Sequence, residues 1–213
     1  TAFVLCSVLG VVLGIISSAK QYEISDKIIT LFVIVGISIP SFFLGMMMIL
    51  YFSVHLSLFP VSGMYSLYGG GDFKDLVSHL IMPAATLAVV STGVIARLSR
   101  SAMLEVLRLD YIRTARAKGA NERIVVFRHA LRSAIINILP ILGLQAGFVL
   151  SGAVYIEIVF QWPGIGRMLV DGILARDIML VQGGVIVVAF LYVIFNMTVD
   201  IMQLILDPRV SKN

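Results

Sequence analysis

Long apolar runs alternate with short polar stretches along the whole chain. Residues 1–19, 28–71, 76–96, 133–156 and 178–199 carry no Asp, Glu, Lys or Arg. A helix needs about 20 apolar residues to cross the ~30 Å hydrocarbon core of a bilayer. The second run is too long for one helix, and its breakers Pro60, Gly63 and Gly69-Gly70-Gly71 put the helix end near His55. The pattern predicts five spans, at about 1–19, 28–54, 76–97, 134–156 and 181–206, in one all-α, multi-pass transmembrane domain covering 1–213.

Composition agrees with a membrane chain. It is 59% hydrophobic and 13% charged, with mean hydropathy +1.01, against about 25% charge in soluble domains. The single cysteine, Cys6, excludes a disulfide framework within the chain and reads as a small packing residue. The net charge of +4 gathers where membrane topology puts it, so no nucleic-acid partner is expected.

The charges orient the spans. Segments 20–27, 97–133 and the C-terminal tail hold thirteen Lys/Arg, whereas 55–75 and 157–180 hold three, Lys74, Arg167 and Arg176. Positive loops stay on the cytoplasmic side, so the C-terminus is expected inside and residue 1 outside. A start at Thr1 within an outer apolar run leads us to expect one further helix before it.

The most informative polar stretch is Arg97–Pro140, with nine Lys/Arg against Glu105, Asp110 and Glu122. Ser101–Lys118 has helix formers and the apolar residues Met103, Leu104, Val106, Leu107, Leu109 and Ile112. Gly119 reads as the residue just past a helix end. Asn121 is placed to cap a second helix, Glu122–Ala134, with Glu122 where the helix dipole favours an acid. The loop 98–133 is thus expected as helix, tight turn, helix. By physics alone it serves equally as an interfacial helix on anionic lipid or as a turn for a docking partner.

At these residues the chain resembles the inner-membrane permeases of ATP-binding-cassette importers, in the dipeptide/oligopeptide/nickel branch. Their "EAA" loop reads Glu-Ala-Ala, three residues, Gly, nine residues, then Ile-x-Leu-Pro. Ala115, Gly119 and Leu131 match it, while Arg113, Thr114, His129 and Arg132 depart from it. The branch's own variant is similar to Asp110-Tyr111-Ile112-Arg113-Thr114-Ala115-Arg116-Ala117-Lys118-Gly119 and Arg128-His129-Ala130-Leu131-Arg132. The resemblance extends to Ser38–Gly45, Leu58–Gly63, Trp162–Arg167 and Leu206-Asp207-Pro208-Arg209.

The resemblance implies a type I importer permease fold of six helices, five of them here. It implies a translocation path shared with a second, homologous permease, and two ATP-binding subunits that carry ATP and Mg. This chain itself would bind no cofactor. Asp110, Tyr111, Arg113, Thr114, Ala115, Arg116, Ala117, Lys118 and Gly119 would form the coupling helix at the ATPase. An external solute-binding protein would dock on 55–75 and 157–180, with Trp162, Pro163, Gly164, Gly166 and Arg167 as outer contacts. The location implied is a bacterial or archaeal inner membrane, and the cargo a peptide, with nickel or glutathione as alternatives.

Other residues add less. Asp200 is the one acid expected well inside a span, and structural pairing is its first reading. His55 and His79 are isolated packing residues, with no metal site expected. Asn137 and Gln145 suit interhelical hydrogen bonds. Pro40, Pro83 and Pro140 lie within or at the ends of spans, where they would kink helices. The chain lacks a phosphate-binding Gly-rich loop, a His-Glu-x-x-His pair and paired intramembrane aspartates, so it is not expected to be an enzyme. The competing class is a transporter or channel that works alone through a mid-membrane charge relay.

Overall fold

The computed structural model describes residues 1–66 and 71–206. The breakers Gly69 and Gly70, Asp207-Pro208-Arg209 and the C-terminal tail lie outside the described residues.

The described chain is helical. The elements are α1 Ala2–Ala19, α2 Ile24–Ser38, α3 Ser41–Met48 with a π-helical continuation Ile49–His55, and α4 Phe73–Leu107. They are followed by α5 Asp110–Ala117, α6 Glu122–Ile124 with a π-helical continuation Val125–Ala130, α7 Leu131–Val159, α8 Ile165–Leu174 and α9 Ile178–Leu206. Four helical stretches (Ala2–Ala19, Phe73–Leu107, Glu122–Val159 and Ile178–Leu206) are long and apolar enough to cross a bilayer. Ile24–Ser38 and Ser41–His55 together pass the same test as a broken span.

Three differences from expectation have local causes. Residues 28–54 do not form one helix, because the helix stops at Ser38 and restarts at Ser41. Pro40 has φ −59° and ψ 135°, lacks an N–H, and holds an extended conformation that a helix interior does not accept. Ser101–Lys118 is also two helices, parted at Arg108–Leu109, with Leu109 extended (ψ 149°). A straight helix would put Ile112 about 180° around from Met103; the break returns it to the same core. Finally, the segment 157–180 contains the ten-residue helix α8.

The chain divides into two compact units. One comprises Thr1–Phe3, Ser38–Val90 and Ala146–Ile194, and the other Val4–Ile37, Ser91–Gln145 and Phe195–Asn213. In the second, α4 lies against α1 and α2 through glycines. A Cβ on Gly10 would sit 2.6 Å from the Ile95 side chain, one on Gly14 would sit 2.8 Å from the Ala96 carbonyl oxygen, and one on Gly93 would sit 3.0 Å from the Val33 carbonyl oxygen. Small residues let membrane helices approach this closely. Below this seam Ile15, Ala102, Met103, Val106, Ile112, Val125, Val126, Ala130, Ala134 and Ile138 form one buried cluster.

In the first unit, Gly45 of α3 faces Phe160 and Val159, and Gly152 of α7 faces Leu87. Phe160 is almost fully buried. The helices continue through Pro83 in α4 and Pro140 in α7.

Candidate functional site: the α5 turn and the outer helix

The turn after α5 is built by backbone bonds. The Gly119 N–H donates to the Arg116 carbonyl at 2.9 Å, and the Ala120 N–H donates to the Ala115 carbonyl at 3.2 Å. This paired bonding is the Schellman arrangement, which needs a left-handed residue just past the helix end. Gly119 supplies it at φ +81°. Ala115 and Ala120 pack against the buried cluster, completing the apolar contact such a cap normally has. Two residues on, the Asn121 side chain accepts the Arg123 N–H at 3.0 Å and caps α6.

α5 touches the core through one face. Ile112 is fully buried and Ala115 partly so, three positions apart; the other residues from Asp110 to Gly119 are exposed. Tyr111 donates its hydroxyl to Ser133 at 2.9 Å, and the Thr114 hydroxyl donates to the Asp110 carbonyl at 3.0 Å. The exposed Arg113 lies 3.4 Å from Asp110.

Arg116 is held within the chain. Its Nη2 and Nε meet the Glu122 carboxylate at 2.6 and 3.1 Å, bridging the turn from α5 to α6. This guanidinium keeps the Glu122 carboxyl below its ordinary range, and Glu122 raises Arg116 in return. Arg113, Arg116 and Lys118 were equivalent candidates in sequence; of these three, Arg116 makes the two-pronged pair.

The outer candidates assemble around Glu157. Its Oε2 accepts the Arg167 N–H at 2.9 Å, so a carboxylate from the end of α7 satisfies a free donor at the start of α8. The intervening turn has Gln161 at φ +51°, and the Trp162 N–H donates to the Glu157 carbonyl at 2.8 Å. Glycine is required at 166, where a Cβ would stand 2.8 Å from Val154 Cα. Arg167 Nη1 donates to the Gln161 carbonyl at 2.9 Å, and Arg167 Nε lies 3.8 Å from Asp171. An open groove of about 840 Å³ runs over this corner, lined by Pro163, Gly164, Arg167, Asp171, Asp177 and Leu180 among others.

The remaining candidates do not join either site. Buried His79 has Nδ1 2.9 Å from the Asp75 carbonyl oxygen. Gln145 is buried, whereas Asn137 and Asp200 are exposed. Among the described residues no three His, Cys, Asp or Glu side chains gather as a metal-ligating group. Sequence reasoning missed a buried network on α1, α2 and α4, in which Arg100 forks onto Asp26 beside Ser17. Arg100 fell into the count of loop charges, and Asp26 lay outside every expected span.

Residues 10–212 match the family described as binding-protein-dependent transport system inner membrane component. The chain belongs to that family. A di/tripeptide transport system permease protein DppB of Pseudomonas aeruginosa is 42% identical to this permease over 98% of the chain and 68% of the relative. The dipeptide permease DppB of Escherichia coli K12 is 39% identical over the same shares. The oligopeptide permease AppB of Bacillus subtilis is 37% identical, over 98% of this chain and 66% of its own.

The fold is that of type I importer permeases. A chain from inward-facing crystals of the MetNI methionine ABC transporter superposes with TM-score 0.75 at 17% identity, covering 97% of this permease and 89% of that chain. A chain of an amino acid ABC transporter with histidines gives TM-score 0.61 at 16% identity, covering 98% and 88%. Family membership displaces the reading of a transporter that works alone.

Proposed function

We propose that this permease forms half of the translocation path of an ATP-driven, binding-protein-dependent importer of di- and oligopeptides. The second half is a homologous permease, and two ATP-binding subunits supply ATP hydrolysis, with this chain non-catalytic. The peptide cargo rests on likeness to the dipeptide and oligopeptide permeases.

The α5 turn supports the coupling role of Asp110–Gly119. A surface that transmits force must be exposed where it meets its partner and rigid behind that point. α5 meets both conditions, with a polar outer face and an inner face, Ile112 and Ala115, set in a core of α1, α4 and α7 residues. Closure of the ATPase dimer would push α5, and the helices sharing that core would follow in a rigid-body switch. The basic segments support a cytoplasmic position for α5 and the C-terminus in a bacterial or archaeal cell. The Glu157-capped corner and α8 then face outward, where an external solute-binding protein docks.

The test is gentle purification of the tagged full-length protein from its native membrane, with mass spectrometry of co-purifying chains. A second permease and ATP-binding subunits are expected. Recovery of this chain alone, under conditions that keep a control complex whole, would overturn the assembly. Uptake of labelled dipeptides by the reconstituted complex then tests the cargo.

A further inference from the structure

Glycines carry the seam between α1, α2 and α4. Gly10 and Gly14 meet α4 at Ile95, Thr92, Ala96 and Ser99, and Gly93 of α4 meets Val33 and Ile37 of α2. Packing of this kind sets how closely the helices approach. A one-turn slide is about 5.4 Å, and helices ratchet by such steps in known switches.

One polar feature on this seam adds a directional lock against such a slide. Asp26 is 4% exposed and Ser17 is 1% exposed, near the α1–α2 turn. Arg100 of α4 sends Nε to Asp26 Oδ1 at 3.0 Å and Nη2 to Oδ2 at 2.8 Å, while Nε also lies 2.9 Å from Ser17 Oγ. The Ser17 hydroxyl donates to the same carboxylate. The Tyr22 N–H donates to Asp26 Oδ2 at 3.0 Å, in a turn that holds Tyr22 left-handed at φ +69°. A planar fork on a carboxylate already held by the Ser17 hydroxyl and the Tyr22 N–H accepts one axial position only.

Stability alone does not account for such a pair. Desolvation of two charges largely cancels their attraction, and apolar replacement of a buried pair is often neutral or stabilising. Register is the better-attested use of buried polar groups. Register here has a mechanical consequence. Ala102, Met103 and Val106 follow Arg100 within two turns of α4 and share their core with Ile112 of α5.

We infer that Asp26 and Arg100 are positioning residues for energy coupling. Their fork locks α4 in register with the α1–α2 turn, so that α5, α4, α1 and the start of α2 move as one body. This inference rests on the importer reading and adds the path by which a push on α5 reaches the membrane helices.

The test uses the complete importer in proteoliposomes, reading peptide uptake per ATP hydrolysed. Asp26→Leu with Arg100→Met replaces the pair by apolar groups of similar size. Assembly and thermal midpoint are expected to survive in this double variant, while uptake per ATP falls about tenfold, the scale of an ordinary coupling energy. Arg100→Lys keeps the charge but not the fork; it is expected to assemble and to lose a smaller part of the ratio. A structural role alone predicts that both variants, once assembled, keep the wild-type ratio, and that result would overturn the inference. If the double variant does not assemble, Arg100→Lys decides. A wild-type complex that does not link hydrolysis to uptake would instead bring down the importer reading itself.

Discussion

Gly63 donates its backbone N–H to the carbonyl oxygen of Phe160 at 2.8 Å. The bond joins the Leu58–Gly63 turn to the end of α7, two segments distant in sequence. Gly63 makes it at φ +85°, and Phe160 is almost completely buried beneath it. The Leu58–Gly63 turn is therefore anchored at the point from which Trp162, Pro163 and α8 depart.

Substitution at Gly166 tests that anchored corner. A Cβ there would press on the Val154 backbone at 2.8 Å, which a rotamer change cannot relieve. Gly166→Ala should lower the unfolding free energy by about 1–3 kcal/mol, the usual cost of overpacking. Gly183 is the control, since a Cβ at that position meets nothing within 4 Å. Thermal unfolding of both variants in the same detergent should separate them, and equal midpoints would refute the packing argument.

Gly119→Pro should abolish coupled uptake while leaving the protein in the membrane. Proline fixes φ near −65° and removes the N–H that reaches Arg116. Gly119→Ala should be milder, because its Cβ meets open space and only the left-handed backbone, about 1–2 kcal/mol, opposes it. Wild-type uptake by the proline variant would remove the turn from the mechanism.

Arg116 and Lys118 should differ on charge reversal. Arg116→Glu breaks the Glu122 pair and opens the turn as well as altering the docking surface. Lys118 makes no ion pair among the described residues, so Lys118→Glu should weaken ATPase association with the turn intact. Hydrogen exchange at Gly119 and Ala120, measured beside ATPase pull-down, distinguishes the two; identical exchange would contradict the bridging role.

The turn should also be sensitive to acid. Arg116 lowers the folded pKa of Glu122. The contribution is therefore complete above the unfolded carboxyl's pKa and is lost as pH falls through the lowered folded value. Protection of the Gly119 amide, its exchange taken relative to an unstructured amide at the same pH, should stay constant above the ordinary glutamate range, about pH 4–5, and fall as the pH drops below it. Glu122→Gln should remove that step, and a step that persists in this variant would assign it to another group.

What the sequence alone determined rests on neighbours along the chain. Charge-free runs mark the helices long and apolar enough to cross a bilayer, because a bilayer excludes charge wherever a helix crosses it. Gly119 and Asn121 were legible as helix stop and start, because capping is satisfied within a few residues. The tertiary structure alone decided the break at Arg108–Leu109, since it depends on which way Ile112 must face to reach Met103 and Val125. It also decided the π-helical segments, the Gly63–Phe160 bond and the Arg100–Asp26 fork. In that fork, residues 74 apart meet. No periodicity in one helix reports the carboxylate that another brings to it, so this pairing emerges only when the helices pack.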